Sequence, residues 1–117
     1  MCIIIKEISD LKFSSAHEGS GRKREIINGS EINNKNLEIL NKDYLLKGKI
    51  FDWHIHENTD EIALVLEGKG IIYYIDETHQ KNFSTSDIIV FEKGERHKIE
   101  ALSNCKFYFL RIIRYKD

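Results

Sequence analysis

The residues best suited to chemistry lie together near the middle of the chain, in the stretch HIHENTDEIALVLEG. It places one residue between His54 and His56 and a four-residue spacer between His56 and Glu61. Side chains at alternate strand positions project to one face, so both imidazoles are expected to point together. A turn over residues 57–60 would return the chain antiparallel and bring Glu61 near both rings. Two nitrogen donors and one carboxylate oxygen suit a divalent first-row metal.

The alternative for these three residues is a solvated strand face that has no ligand. The histidine pair taken alone favours that alternative. The position of Glu61 favours a ligand set instead, because a returning strand would deliver a third donor there.

Composition narrows the class of protein. The chain has 117 residues, of which 41% are hydrophobic, and this predicts one domain with a single modest core. Its 18 basic and 19 acidic residues form no basic field for nucleic acid. The opening MCIIIKEISD is too short and too soon charged for a signal peptide, and no apolar run reaches membrane-spanning length. Cys2 and Cys105 form no disulfide framework or paired metal motif. We therefore expect a cytoplasmic protein with no membrane or nucleic-acid partner.

The elements that must position these residues are short strands. From Ile50 onward, β-branched and aromatic runs alternate with turn-forming segments, which predicts an all-β sandwich or barrel. The runs are KIFDWHIH, EIALVLE, GIIYYID, DIIVFE, HKIEAL and KFYFLRII, and the turns are ENTD, GKG, ETHQKN, STS, EKGER and SN.

The N-terminal third has a weaker pattern. A strand is predicted from Arg22 to Ile27 after a glycine-containing loop. The stretch NLEILNKDYLLKG also fits a helical face, but we favour one strand near Leu37–Leu40 and a second short one before Gly48.

One motif resembles the cupin superfamily. Gly48, His54, His56, Glu61 and Gly68 reproduce the spacing of the first cupin motif at every position. The resemblance covers residues 43–113.

The second cupin motif is present in part. Asp87, Gly94 and His97 match it. Ser86 replaces the usual opening glycine, Glu92 the usual proline and Ala101 the late asparagine. These departures affect turn geometry and leave the metal donors in place.

The resemblance implies a double-stranded β-helix, that is, a jelly-roll or cupin barrel, in which His54, His56, Glu61 and His97 bind one divalent metal. His97 also follows a predicted turn and opens a predicted strand, so its ring could enter the barrel. Iron, manganese, nickel and zinc all remain open, and an octahedral ion would keep two free positions. His17 and His79 lack such support and are predicted to lie in loops.

The predicted domain spans residues 1–117, with strands and a cover segment over 1–42 and the core barrel over 43–113. If Glu61 faces inward, so do Ala63 and Val65, whereas Ile62, Leu64 and Leu66 face outward. A strand that is apolar on both faces needs a cover on its outer side. The N-terminal segment could provide it, but the resemblance favours a second copy, and we predict a homodimer.

The pocket lining is left open by the sequence. Tyr73 and Tyr74 alternate, so one of them is expected to face the pocket. The other candidates are Phe91, Phe107, Phe109 and Arg111. Glu57 and Asp52 could serve as a general base, although a solvated position is the commoner one for such residues.

Two classes of function fit these observations. The first is a metal-dependent enzyme, such as an oxygenase, isomerase, epimerase or lyase, that acts on a small polar or anionic metabolite such as a sugar, hydroxy acid or oxo acid. The second is a binding or sensing module that holds a small molecule without turnover. The complete ligand set favours the enzyme, but the fold selects no reaction.

Overall fold

The computed structural model describes residues 3–16, 19 and 21–114, and in them the chain is almost entirely β-structure. Two 3-10 turns, Ile8–Asp10 and Gly29–Ile32, accompany the strands. The described strands are β1 (Ser14–Ala16), β2 (Gly21–Asn28), β3 (Leu37–Leu45), β4 (Ile50–His54), β5 (Thr59–Glu67), β6 (Lys69–Tyr74), β7 (Asp76–Ser84), β8 (Ile88–Phe91), β9 (His97–Ala101) and β10 (Cys105–Ile113).

The strands form two antiparallel sheets. The first has the order β1-β2-β3-β10-β5-β8 and the second the order β4-β9-β6-β7. Consecutive strands therefore alternate between the sheets over much of the barrel, as in a double-stranded β-helix. The predicted all-β, jelly-roll fold is confirmed.

The core fills the space between the sheets. On β5, Ala63 and Val65 are buried while Ile62 and Leu64 are half-buried on the other face. Phe107 on β10 is fully buried and lies 6.4 Å, ring centroid to ring centroid, from Phe51 on β4. Alternation of side chains along each strand thus supplies one apolar layer from each sheet.

Two predictions of local structure were wrong. Residues 37–45 form one continuous strand, because β3 pairs along its length with β2 and β10. The segment ETHQKN, with His79, lies within β7 and is no loop. Most of β7 is exposed, so no apolar alternation marks it, and pairing with β6 defines the strand. Cys2 and His17 lie outside the described residues.

The turn over residues 57–60 was expected to form a hairpin within one sheet, and this was also wrong. β4 pairs with β9, whereas β5 pairs with β10 and β8. The turn carries the chain from one sheet to the other, so Glu61 approaches the histidines across the barrel interior.

In the part of the chain that the structure describes, the N-terminal segment contacts one end of the six-stranded sheet. The ring of Phe13 packs edge-on against Tyr44 with centroids 5.3 Å apart, and the guanidinium of Arg24 donates to the Ile8 carbonyl. These contacts lie over β2 and β3. No helix in the described ranges has the length and apolar character that a membrane crossing requires.

Candidate metal centre

Four side chains converge inside the barrel. His54 ends β4 and is the register partner of His97, the first residue of β9. His56 lies in the segment that follows β4. The backbone carbonyl of His56 accepts a hydrogen bond from the Gly94 N–H at 2.9 Å, which holds this segment in place. Glu61 reaches the same point from β5 in the opposite sheet. One ligand atom from each of these residues lies within 4.8 Å of all the others.

Backbone carbonyls orient two of the imidazoles. Nδ1 of His54 lies 2.7 Å from the Asp52 carbonyl, and Nδ1 of His97 lies 3.1 Å from the Glu95 carbonyl. A carbonyl oxygen only accepts, so each Nδ1 carries the proton and donates it. The lone pair of each ring is therefore on Nε2, which is the arrangement that metal-binding histidines require.

The Nε2 atoms of His56 and His97 are buried and make no well-formed hydrogen bond with any described residue. They lie 3.3 Å and 3.9 Å, respectively, from the carboxylate oxygens of Glu61. Buried nitrogen atoms are normally paired, because burial removes their hydration. A metal ion among these atoms would pair them all.

The charges of the group suit a cation. Burial lowers the pKa of His54, and burial together with repulsion from His54 lowers the pKa of His97 to about 4. Burial pushes the pKa of Glu61 upward, but the close approach of His56, His97 and Arg111 outweighs it and leaves that pKa below the ordinary value. At neutral pH His54 and His97 are therefore neutral and Glu61 is a carboxylate, and these residues fit a divalent metal.

A cavity of about 420 Å³ opens between β7 and β8 and touches the centre only through His97. His54, His56 and Glu61 do not line it. Its lining consists of Ile72, Tyr74, Lys81, Asn82, Phe83, Asp87, Ile88, Ile89, Val90, Phe91, Glu95 and His97.

The predicted pocket residues separate into three groups. Tyr74 and Phe91 line the large cavity. Tyr73 points to the opposite face of β6, where its hydroxyl donates to Glu100 Oε1 at 2.8 Å. Phe107 is part of the core and lines neither this cavity nor the smaller one described next.

Phe109 and Arg111 line a second, much smaller cavity of about 10 Å³ on the other side of the centre. Arg111 Nη1 lies 3.9 Å from Glu61 Oε2, and its Nε donates to Glu38 Oε1 at 2.9 Å. The guanidinium therefore faces the barrel interior beside Glu61.

Sequence reasoning missed two residues of this small cavity, Asn41 and Asp43 on β3. Both are buried, and burial reinforced by the charge of Glu61 raises the pKa of Asp43 to about 7. The alternation of Ile39, Asn41, Asp43 and Leu45 was a usable signal, because strand period places all of them on one face.

The side chains of the other candidates are exposed. Glu57 and Asp52, considered as general bases, are exposed, and Asp52 accepts from the backbone N–H of Trp53 at 2.8 Å. His79 is exposed on β7, where its Nδ1 lies 2.9 Å from Asp76 Oδ1.

Solved structures share this fold. A predicted oxalate decarboxylase from Thermotoga maritima superposes with a TM-score of 0.80 at 18% identity over 95% of this chain and 100% of that one. Ectoine synthase from P. lautus superposes with a TM-score of 0.80 at 14% identity over 97% of this chain and 80% of that one. KdgF from Halomonas sp. superposes with a TM-score of 0.75 at 18% identity over 92% of this chain and 92% of that one. No curated protein matches the sequence.

A family model described as a cupin domain matches residues 44–112, which hold all four donors. The match spans more than half of the chain and agrees with the barrel and with the resemblance found in the sequence. His54, His56, Glu61 and His97 form a possible metal site in this barrel. The chain belongs to the cupin family.

Proposed function

We propose that this chain is a metal-dependent enzyme that acts on a small polar or anionic metabolite. His54, His56, Glu61 and His97 would hold one divalent transition metal per chain: iron, manganese, nickel or zinc. The observation that carries the proposal is the convergence of four donors within 4.8 Å, two of them buried imidazole nitrogens without hydrogen bonds to the described residues.

Such a metal would supply Lewis acidity and positions for an oxygen ligand. Backbone carbonyls hold His54 and His97 as neutral tautomers with the lone pair on Nε2, and burial excludes water from His97. The donor set would leave a bound divalent metal with a net positive charge. Arg111 adds a further positive charge beside Glu61. Similar structures include a predicted oxalate decarboxylase and an ectoine synthase. Because proteins with such different names share the fold, the fold alone selects no substrate.

The metal content of purified protein tests the ligand set. We expect one equivalent of metal in the wild type and little in a His54→Ala/His97→Ala double variant. His79→Ala is the matched control, because it removes an exposed histidine outside the centre and should keep the metal. Equal metal in the wild type and the double variant would contradict the site. A metal-loaded protein that binds small acids without converting any would favour the binding-module alternative.

We also propose that the chain forms a homodimer through the outer face of the six-stranded sheet. An apolar groove on that face is lined by Leu40, Ile62, Leu64, Tyr108 and Leu110. The groove continues onto β8, because Val90 pairs with Ile62 and Ile88 pairs with Leu64, so all four side chains lie on the same face of the sheet. Ile88 and Val90 are 67% and 57% exposed. We name these seven residues the outer apolar patch.

Burial of the outer apolar patch would stabilise a dimer by about 25 cal/mol per Å² of apolar surface removed from water. The described N-terminal contacts lie over β2 and β3 and leave β5 and β8 uncovered. Light scattering coupled to size exclusion measures the mass directly. A single species near 13.7 kDa at micromolar concentration would contradict the dimer.

Residues 1–117 are proposed to fold as one domain, with 43–113 as the core barrel and 1–42 as its flanking strands and cover. The support is that β1, β2 and the start of β3 extend the six-stranded sheet, which also contains β10, β5 and β8. One cooperative calorimetric transition is expected. Two separate transitions would contradict this.

A further inference from the structure

A second polar cluster lies inside the barrel on the β3 side of the metal centre. Asn41 and Asp43 are 2% and 4% exposed, in positions that alternate with buried Ile39 and Leu45. Neither Asn41 Oδ1 nor Asp43 Oδ1 hydrogen-bonds to any residue that the structure describes. Buried acceptors are normally paired, because an unpaired one has lost its hydration without compensation. The two oxygens therefore indicate a donor that is not among the described residues.

Asn41 and Asp43 line a small cavity that adjoins the candidate metal centre. Its volume is about 10 Å³, and its lining combines Asn41, Asp43 and Arg111 with two metal donors, His54 and Glu61. A volume on the order of 10–15 Å³ holds one water-sized group. A ligand held at the centre could place one oxygen-sized substituent there.

The polarity of the cavity selects the kind of substituent. Asn41 Oδ1 and Asp43 Oδ1 are the unpaired acceptors, and the guanidinium of Arg111 offers donors. A hydroxyl group has one proton to donate, to Asn41 Oδ1 or to Asp43 Oδ1, and it can accept from Arg111 at the same time. A keto or carboxylate oxygen can only accept, so it would leave the Asn41 and Asp43 oxygens unpaired. A carboxylate would also face the negative charge of Glu61.

We propose that Asn41, Asp43 and Arg111 bind a hydroxyl group of the ligand, so that the site prefers a hydroxy acid or vicinal diol to an oxo acid or dicarboxylate. This inference rests on the proposed function, because another oxygen of the same ligand is held at the metal centre. Asn41 and Asp43 thereby determine specificity without being metal donors.

Lactate and pyruvate test the preference directly, because they share a carbon skeleton and carboxylate and differ in a hydroxyl or keto oxygen. Each is titrated into the cobalt(II)-loaded protein, and the visible spectrum gives the dissociation constant. We expect the wild type to prefer lactate and the preference to fall about tenfold in Asn41→Val and in Asp43→Val, as for the loss of one hydrogen bond. Asp43→Asn keeps an oxygen acceptor and should keep most of the preference. Lys42→Gln, on the outward face of the same strand, is the control and should leave it unchanged.

Thermal unfolding of the metal-free variants gives a second readout. The valine variants should melt above the wild type, because they replace an unpaired buried polar group by an apolar one of similar size. A purely structural role would lower the melting temperature instead and would contradict the inference.

The outcomes separate this inference from the proposed function. If wild-type protein binds cobalt but binds pyruvate as tightly as lactate, the hydroxyl subsite is wrong and the metal centre stands. This holds whatever the variants show. A preference for lactate that is equal in the wild type and both valine variants also overturns it. Wild-type protein that binds no cobalt overturns the metal centre and this inference together.

Discussion

The phenyl ring of Phe91 lies flat against the imidazole of His97, with ring centroids 3.9 Å apart and ring planes inclined by 14°. Phe91 ends β8 in one sheet and His97 begins β9 in the other, so the stack joins the two sheets beside the metal donors. It shields one face of the imidazole from water and contributes to the burial that lowers the pKa of His97. The ring is thereby held with Nε2 directed at the other donors.

Replacing Phe91 by leucine should weaken metal affinity by about tenfold, at the lower end of what outer-shell changes cause at metal sites. The reason is that the imidazole of His97 loses its stacking partner and can rotate. Competition with a chromophoric chelator measures the affinity. Phe83→Leu is the matched control, since Phe83 is as well buried but packs on Phe107. Equal losses in both variants would show that the stack has no specific role.

Metal should stabilise the folded protein, because the donors are brought together only in the folded state. At a free metal concentration about 100-fold above the dissociation constant, the free energy of unfolding should rise by about 2.7 kcal/mol. A chelator should reverse the shift in melting temperature. The His97→Ala variant should show almost no shift, and a shift of wild-type size in that variant would contradict the role of His97 as a ligand.

The buried carboxyl of Asp43 should make metal-free protein less stable as pH rises. Burial, reinforced by Glu61, raises the pKa of Asp43 from 3.8 to about 7. The folded state therefore keeps a proton that the unfolded chain releases, so the free energy of unfolding falls between about pH 4 and pH 7 and levels off above.

The comparison of Asp43→Asn with wild type isolates this effect, because asparagine does not titrate. The variant should gain stability relative to wild type by a few kcal/mol between pH 4.5 and pH 8, roughly 1.4 kcal/mol per pKa unit. Denaturant titrations at both pH values measure the difference. Asp52→Asn, at an exposed position, should show no such change. A pH-independent difference for Asp43→Asn would rule out the raised pKa.

A charge placed in the outer apolar patch should separate the proposed dimer. Leu64 pairs with Tyr108 on one side and with Ile88 on the other, so it lies in the middle of one apolar row. Leu64→Glu would bury an unpaired carboxylate at the interface, which is strongly unfavourable. The mass from light scattering should fall to that of one chain, whereas Gln80→Glu on the exposed β7 should leave the mass unchanged. Dimeric Leu64→Glu protein would place the interface elsewhere.

The hairpin between β6 and β7 contains a strained residue. Ile75 has φ of +67°, a left-handed conformation that a β-branched side chain rarely adopts, and its side chain is 63% exposed. Asparagine tolerates this conformation, so Ile75→Asn should raise the free energy of unfolding by about 1 kcal/mol. Ile55→Asn, at another exposed isoleucine with no positive φ, is the control. A loss of stability in Ile75→Asn would show that the side chain contributes more than its strain costs.

The sequence by itself predicted the barrel and the convergence of four side chains that could bind a metal. His54, His56 and Glu61 lie close together in the chain, so strand period and one turn are enough to predict that their side chains meet. His97 follows a glycine turn at the start of a strand, and the motif spacing identifies it despite the altered glycine and proline positions. The inward positions of Ala63 and Val65 follow from the same alternation.

The tertiary structure decided which sheets supply the donors and which residues surround them. β4 and β5 pair with different neighbours, so Glu61 faces the histidines across the barrel, which local spacing cannot show. Asn41 and Asp43 are polar residues that face inward, and only the facing sheet makes those positions buried. Strand β7 is mostly exposed at a sheet edge, so backbone pairing defines it where side-chain hydropathy does not. The alternation of side chains along a strand can be predicted from the sequence. Burial and the pairing of strands with their neighbours depend on segments that are distant in the sequence.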